Sequence, residues 1–120
     1  MKTEDYESAV RSTSIYGSGM TLALYSGKLN GTRFTGIYPF VGLAEEAGEV
    51  VGKLKKAQRD SWSYEEFQEK VSLELGDVLW YVTACANEIG MNLEQIMELN
   101  IRKLSSRKAR GTLHGEGDNR

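Results

Sequence analysis

Between residues 42 and 104, apolar side chains recur at three- and four-residue intervals in three successive runs, interrupted only by short breakers. Leu43, Ala47, Val50, Val51, Leu54 and Ala57 mark the first run. Asp60–Ser61 ends it, and Ser63-Tyr64-Glu65-Glu66 has the form of a capping box, Ser63 accepting from the amide three residues on while Glu66 reaches back. A long second helix follows to about Ile89. Gly90 supplies a left-handed stop, and Asn92 caps a further helix through Leu93, Ile96, Met97, Leu99, Ile101 and Leu104. Tyr6, Ala9, Val10 and Ile15 share one face of a shorter helix over 4–16. Helices joined by turns this short have to lie against one another, so the chain is expected to be all-α, with a four-helix bundle-like core. The stretch Gly17–Gly42, with six glycines and the only proline, reads as a loop with Met20–Tyr25 as a short helical candidate. Gly111–Arg120 reads as a polar, glycine-rich tail.

A chain of 120 residues is one domain's worth, spanning 1–120. The lone Cys85 forms no intramolecular disulfide or cysteine-rich zinc site, and the lone His114 builds no histidine metal cluster. The longest apolar run, near Val78–Ala86, is far short of the roughly 20 residues of a membrane span, and the polar N-terminus lacks a signal-peptide core. A cytoplasmic protein without membrane partners is expected. Charge is unevenly spread: residues 41–100 carry twelve acids against five bases, and 101–120 six bases against two acids. Such a division suits an anionic ligand held through divalent cations, and equally a solvated acidic surface with a basic tail. The basic run is too short, and the net charge of −2 too negative, for a nucleic-acid polymer.

The acids form two pairs at helical spacing, Glu46 with Glu49 and Glu74 with Asp77. Residues three apart lie on one helix face, roughly 5–6 Å apart at Cβ, close enough to reach one cation. An antiparallel hairpin turning near Asp60–Ser63 brings Glu49 and Glu74 to the same height. All-oxygen donors at that level suit Mg²⁺ or Mn²⁺. Glu46 and Glu49 lie away from the apolar arc of their own helix, in a stripe continued by Lys53 and Lys56, the pattern of a solvated salt-bridged face. Glu74 differs, because Phe67, Val71, Val78, Tyr81 and Cys85 surround it on a stripe that should pack inward. A charge there needs a metal, a basic partner such as Lys53, or a raised pKa. Gly48 and Gly76, beside these acids, point to close helix approach at the same level.

On the last helix Asn100, Lys103 and Arg107 share a face, with Lys108 adjacent, and an amide, a point charge and a guanidinium fork make a suitable set for phosphate oxygens. Lys and Arg near a helix C-terminus also merely complement its dipole. Tyr38, Phe40 and Trp62 are candidates for stacking on a base, each with an alternative part in packing.

Together, Glu-Glu-x-x-Glu at Glu45–Glu49, Glu-x-x-Asp at Glu74–Asp77 and Asn-x-x-Lys at Asn100–Lys103 with Arg107 beyond resemble the MazG-type all-α nucleoside triphosphate pyrophosphohydrolases. The run Tyr38-Pro39-Phe40-Val41-Gly42-Leu43-Ala44 is also similar to that family, and the likeness covers about 38–108. It implies Mg²⁺-dependent hydrolysis between the α and β phosphates, by metal-activated water at the α-phosphorus, to a monophosphate and pyrophosphate, in the service of nucleotide-pool house-cleaning. It further implies Glu46, Glu49, Glu74 and Asp77 as metal ligands, Glu45 as orienting or deprotonating the water, and Asn100, Lys103 and Arg107 as phosphate-binding. A homodimer or homotetramer with a shared cleft is part of the same implication. The Gly17–Gly36 stretch and the tail beyond Leu113 extend past the shared pattern, which leaves base specificity open. A di-iron bundle is disfavoured for want of Glu-x-x-His. A non-catalytic helical oligomer that binds a metal or a partner protein is the alternative.

Overall fold

The computed structural model describes residues 1–14, 28–29, 32–33 and 38–118. Four helices make up nearly all of it: α1 (Thr3–Thr13), α2 (Tyr38–Asp60), α3 (Tyr64–Glu88) and α4 (Leu93–Ala109). Strands β1 (Lys28–Leu29) and β2 (Thr32–Arg33) pair antiparallel, Lys28 opposite Arg33 and Leu29 opposite Thr32. These strands correct the loop reading of that stretch. The signal was available, because Asn30-Gly31 lies between them and Asn-Gly is the strongest short hairpin cue in a sequence. The Met20–Tyr25 helix candidate lies outside the described residues.

Helix α2 begins at Tyr38, four residues earlier than expected. Pro39 in its first turn is the reason: proline lacks only a donor that this turn does not use, and its fixed φ suits the helix. The capping box at Ser63 is formed, with Glu66 N donating to Ser63 Oγ at 3.1 Å and Ser63 N to Glu66 Oε2 at 3.0 Å. Asn92 caps α4 likewise, accepting from Gln95 N at 2.8 Å. Gly90 stands at φ +74°, as a left-handed stop requires. Helix α1 stops at Thr13, where the hydroxyls of Thr13 and Ser14 bond back to the carbonyls of Ala9 and Val10 and compete with further helix.

The buried core is small and sits at one end. Val10 of α1, Ala84, Cys85 and Ala86 of α3 and Leu93 of α4 are almost wholly enclosed, with Thr83 beside them turning its hydroxyl onto the Leu79 carbonyl at 2.9 Å. Two polar contacts fasten α1 there: Trp80 Nε1 donates to Thr13 Oγ1 at 2.8 Å, and buried Glu7 accepts from the backbone N–H of Leu93 at 2.5 Å. That carboxylate meets the first free amide of α4, where the helix dipole favours negative charge.

The α2–α3 hairpin is built differently. At Gly42 a Cβ would overlap the Tyr81 ring, so only glycine fits there. Gly48 and Gly76 have open space around them, and the close approach expected at those two positions is not there. Facing inward with Gly42 are Glu46 and Lys53 of α2 and Glu74 of α3, while Val51, Leu54, Leu73 and Leu75 are more than half exposed. The radius of gyration is 17.5 Å, against about 14 Å for a compact chain of this length.

Candidate metal and active site

Three carboxylates meet between α2 and α3. Glu46, Glu74 and Asp77 each offer an oxygen within 4.8 Å of the others. Glu46 comes from the α2 face that carries Gly42 one turn earlier, and Glu74 and Asp77 from the α3 face that carries Tyr81 one turn later. The Gly42–Tyr81 contact therefore sets the helix separation just beside the acids. Burial, then the charges of Asp77, Glu74, Glu45 and Glu49, hold the Glu46 carboxyl above the usual carboxylate range. A set of oxygens that raises the pKa of its own member is what a hard divalent cation relieves, and the donor chemistry fits Mg²⁺ or Mn²⁺.

The alternative partner for Glu74 is also present. Lys53 Nζ lies 2.7 Å from Glu74 Oε1, both side chains being mostly enclosed, and this bond raises the ammonium's pKa. Glu74 thus stands between a cation of the chain and the two other acids. Glu49 does not join the group. It lies about 60° around the helix from Glu46, half exposed, with Lys56 at 3.9 Å. Equal height along the hairpin therefore did not bring Glu49 and Glu74 together; the inward position at that end of the site belongs to Lys53. Glu45 is exposed next to Glu46.

Two tyrosines border the acids, and the sequence reading missed both roles. Tyr81 is pushed up to about 12 by burial, a hydrogen bond with Tyr38 and the charges of Glu46 and Glu45. Tyr38 and Tyr81 have ring centroids 6.4 Å apart. On the other side Tyr6 of α1, raised by burial and by Asp77, donates weakly to the Gly76 carbonyl at 3.5 Å. Tyr81 was legible as a stripe residue; its meeting with Gly42 was not. Trp62 lies at the hairpin turn with Lys70 Nζ 5.0 Å from its ring, and Phe40 is exposed.

The candidate phosphate-binding residues are on α4, whose packing runs to α1 and α3. Asn100 and Lys103 line an open concavity of about 540 Å³ with Ile96 and Leu99. Arg107 instead turns inward, only 5% exposed, and faces the tail. His114 lies exposed in the tail.

Comparison with known proteins identifies the family. The pattern of the MazG nucleotide pyrophosphohydrolase domain matches residues 40–111, from the first turn of α2 to just past the end of α4. The Gene 37 protein of Mycobacterium phage L5 is 41% identical over 101 residues, covering 82% of this chain and 89% of that protein. No solved structure matches. With the family pattern spanning both acid-bearing helices and the basic one, the chain belongs to the MazG nucleotide pyrophosphohydrolase family.

Proposed function

We propose that the protein hydrolyses a nucleoside triphosphate between its α and β phosphates, releasing the monophosphate and pyrophosphate, with Mg²⁺ or Mn²⁺ as cofactor. The observation that carries this reading is the convergence of Glu46, Glu74 and Asp77 from two helices to within 4.8 Å, in a chain of this family. Those three carboxylates would hold the cation, with Glu49, one turn on from Glu46, as a further ligand. When bound, the cation neutralises phosphate oxygens and lowers the pKa of water in its shell. Glu45, exposed and adjacent, orients that water or accepts its proton. Lys53 fixes the Glu74 carboxylate, and Tyr81 keeps its hydroxyl proton through the physiological range beside Glu46 and Glu45. Asn100, Lys103 and Arg107 bind the phosphates.

The active unit is a homodimer or homotetramer. Support comes from the apolar side chains left outside the hairpin, among them Val51, Leu54, Leu73 and Leu75, and from the open shape of the single chain. No helix among the described residues is long and apolar enough to cross a membrane.

The test is a panel of ribo- and deoxyribonucleoside triphosphates incubated with protein and Mg²⁺, with separation of the products. Monophosphate with pyrophosphate is the expected result, and loss of both in Glu74→Gln at unchanged helix content ties the reaction to the site. No turnover of any nucleotide would leave a helical binding module as the better reading.

A further inference from the structure

Helix α4 ends in a Schellman motif. Thr112 N donates to Arg107 O at 2.8 Å and Gly111 N to Lys108 O at 3.1 Å, with Gly111 at φ +68°. Gly115 and Gly117, at φ +125° and +82°, then turn the chain back along the helix. The return brings the tail onto Arg107, whose Nη2 donates to the carbonyls of Gly117 at 3.3 Å and Asp118 at 3.1 Å and lies 3.4 Å from Asp118 Oδ1. The same carboxylate oxygen is 3.7 Å from Lys103 Nζ. Asp118 thus bridges two of the three residues read as phosphate-binding.

The fit is incomplete in an informative way. The Arg107 side chain is 6% exposed, yet its Nε is buried without a hydrogen-bond partner among the described residues. Nε and Nη2 share one edge of the guanidinium, the edge that grips an oxyanion through two parallel bonds. Asp118 meets only the Nη2 half of it. Its own side chain is 88% exposed, so the attraction is largely screened by water. A phosphate has three oxygens to share between that edge and Lys103, and carries more charge than one carboxylate.

We infer that the Gly111–Asp118 segment is a displaceable strap: the Asp118 carboxylate occupies the anion site of Arg107 and Lys103, and a phosphate group of the substrate competes with it for that site. The inference rests on the reading of α4 as phosphate-binding. It makes the strap a brake on substrate affinity that acts through one exposed carboxylate, while Arg107 stays folded under cover when no anion is bound.

Pyrophosphate with Mg²⁺ is the probe, titrated calorimetrically into the full chain, its Asp118→Asn variant and its Lys103→Gln variant. Asp118→Asn should bind about fivefold more tightly, the ratio that corresponds to removing one exposed ion pair, and pyrophosphate should speed hydrogen exchange of the tail amides in the unsubstituted protein. Lys103→Gln should bind more weakly. If Lys103→Gln weakens binding but Asp118→Asn leaves it unchanged and the tail amides do not respond, the strap is wrong and the phosphate reading stands. Unchanged binding in Lys103→Gln overturns both. Lys103 and Asp118 are well exposed, so neither substitution threatens the fold.

Discussion

The two ends of α3 are packed by opposite rules. Its C-terminal end meets α1 and the start of α4 in a buried junction of Val10, Thr83, Ala84, Cys85, Ala86 and Leu93, where the buried Glu7 carboxylate is matched to a helix amide. Its middle meets α2 with acids and a lysine turned inward and leucines turned out. The first arrangement is complete within one chain. The second leaves charges crowded and apolar surface uncovered, which the proposed cation and the proposed second subunit would relieve. Stability and chemistry are thereby assigned to different stretches of one helix.

Substitutions should separate the two. Glu74→Gln should lower turnover more than about a hundredfold, since removing even the groups that support metal ligands costs 10- to 100-fold, while the thermal midpoint changes by only a few degrees. Val10→Ala should do the reverse: about 2 kcal/mol of stability lost from a fully packed position, seen as a lower denaturation midpoint at nearly unchanged kcat. If Val10→Ala removed activity and left the midpoint alone, the division between the ends would fail. On the outer face, Leu54→Asp should shift sedimentation toward the single chain at micromolar concentration. A species of unchanged mass would mean that this face is not an interface. Adding Mg²⁺ or Mn²⁺ should raise the midpoint of the unsubstituted protein by mass action on the folded state, and less so that of Glu46→Gln.

The smallest effect concerns Cys85, which burial, and then Glu88, push up to about 11. The folded pKa lies above the usual 9.0, so the contribution to stability is whole below about pH 9 and is lost as pH rises through 11. Native Cys85 should react with a disulfide reagent about a hundredfold more slowly than an ordinary thiol of pKa 9, in proportion to its thiolate fraction. Reaction at the ordinary rate would show that the junction opens readily.

Much of this was legible in the residues. Apolar periodicity and the cap signals at Ser63, Gly90 and Asn92 gave α3 and α4 closely, because capping is local chemistry. The start of α2 was missed because Pro39 and Gly42 read as loop punctuation, whereas one is a first-turn residue and the other a contact point. At the site, helical spacing alone put Glu74 on an inward stripe with Asp77 on the same side of the helix, and Lys53 was already visible as a partner for Glu74. Spacing could not tell whether Glu46 or Glu49 would turn toward α3, since they differ by about 60° and tertiary packing decides. Arg107 was unreadable for another reason: its surroundings come from Gly117 and Asp118, in a segment without periodicity.

Gly42 and Tyr81 act as a caliper. The ring rests on bare backbone, so the pair sets how wide the jaws of the hairpin stand where Glu46 faces Asp77. Adding bulk at 42 without trimming 81 would open the jaws and stretch the gap an ion has to bridge. The two positions should therefore change only in compensating steps, a constraint on drift that neither would show if tested alone.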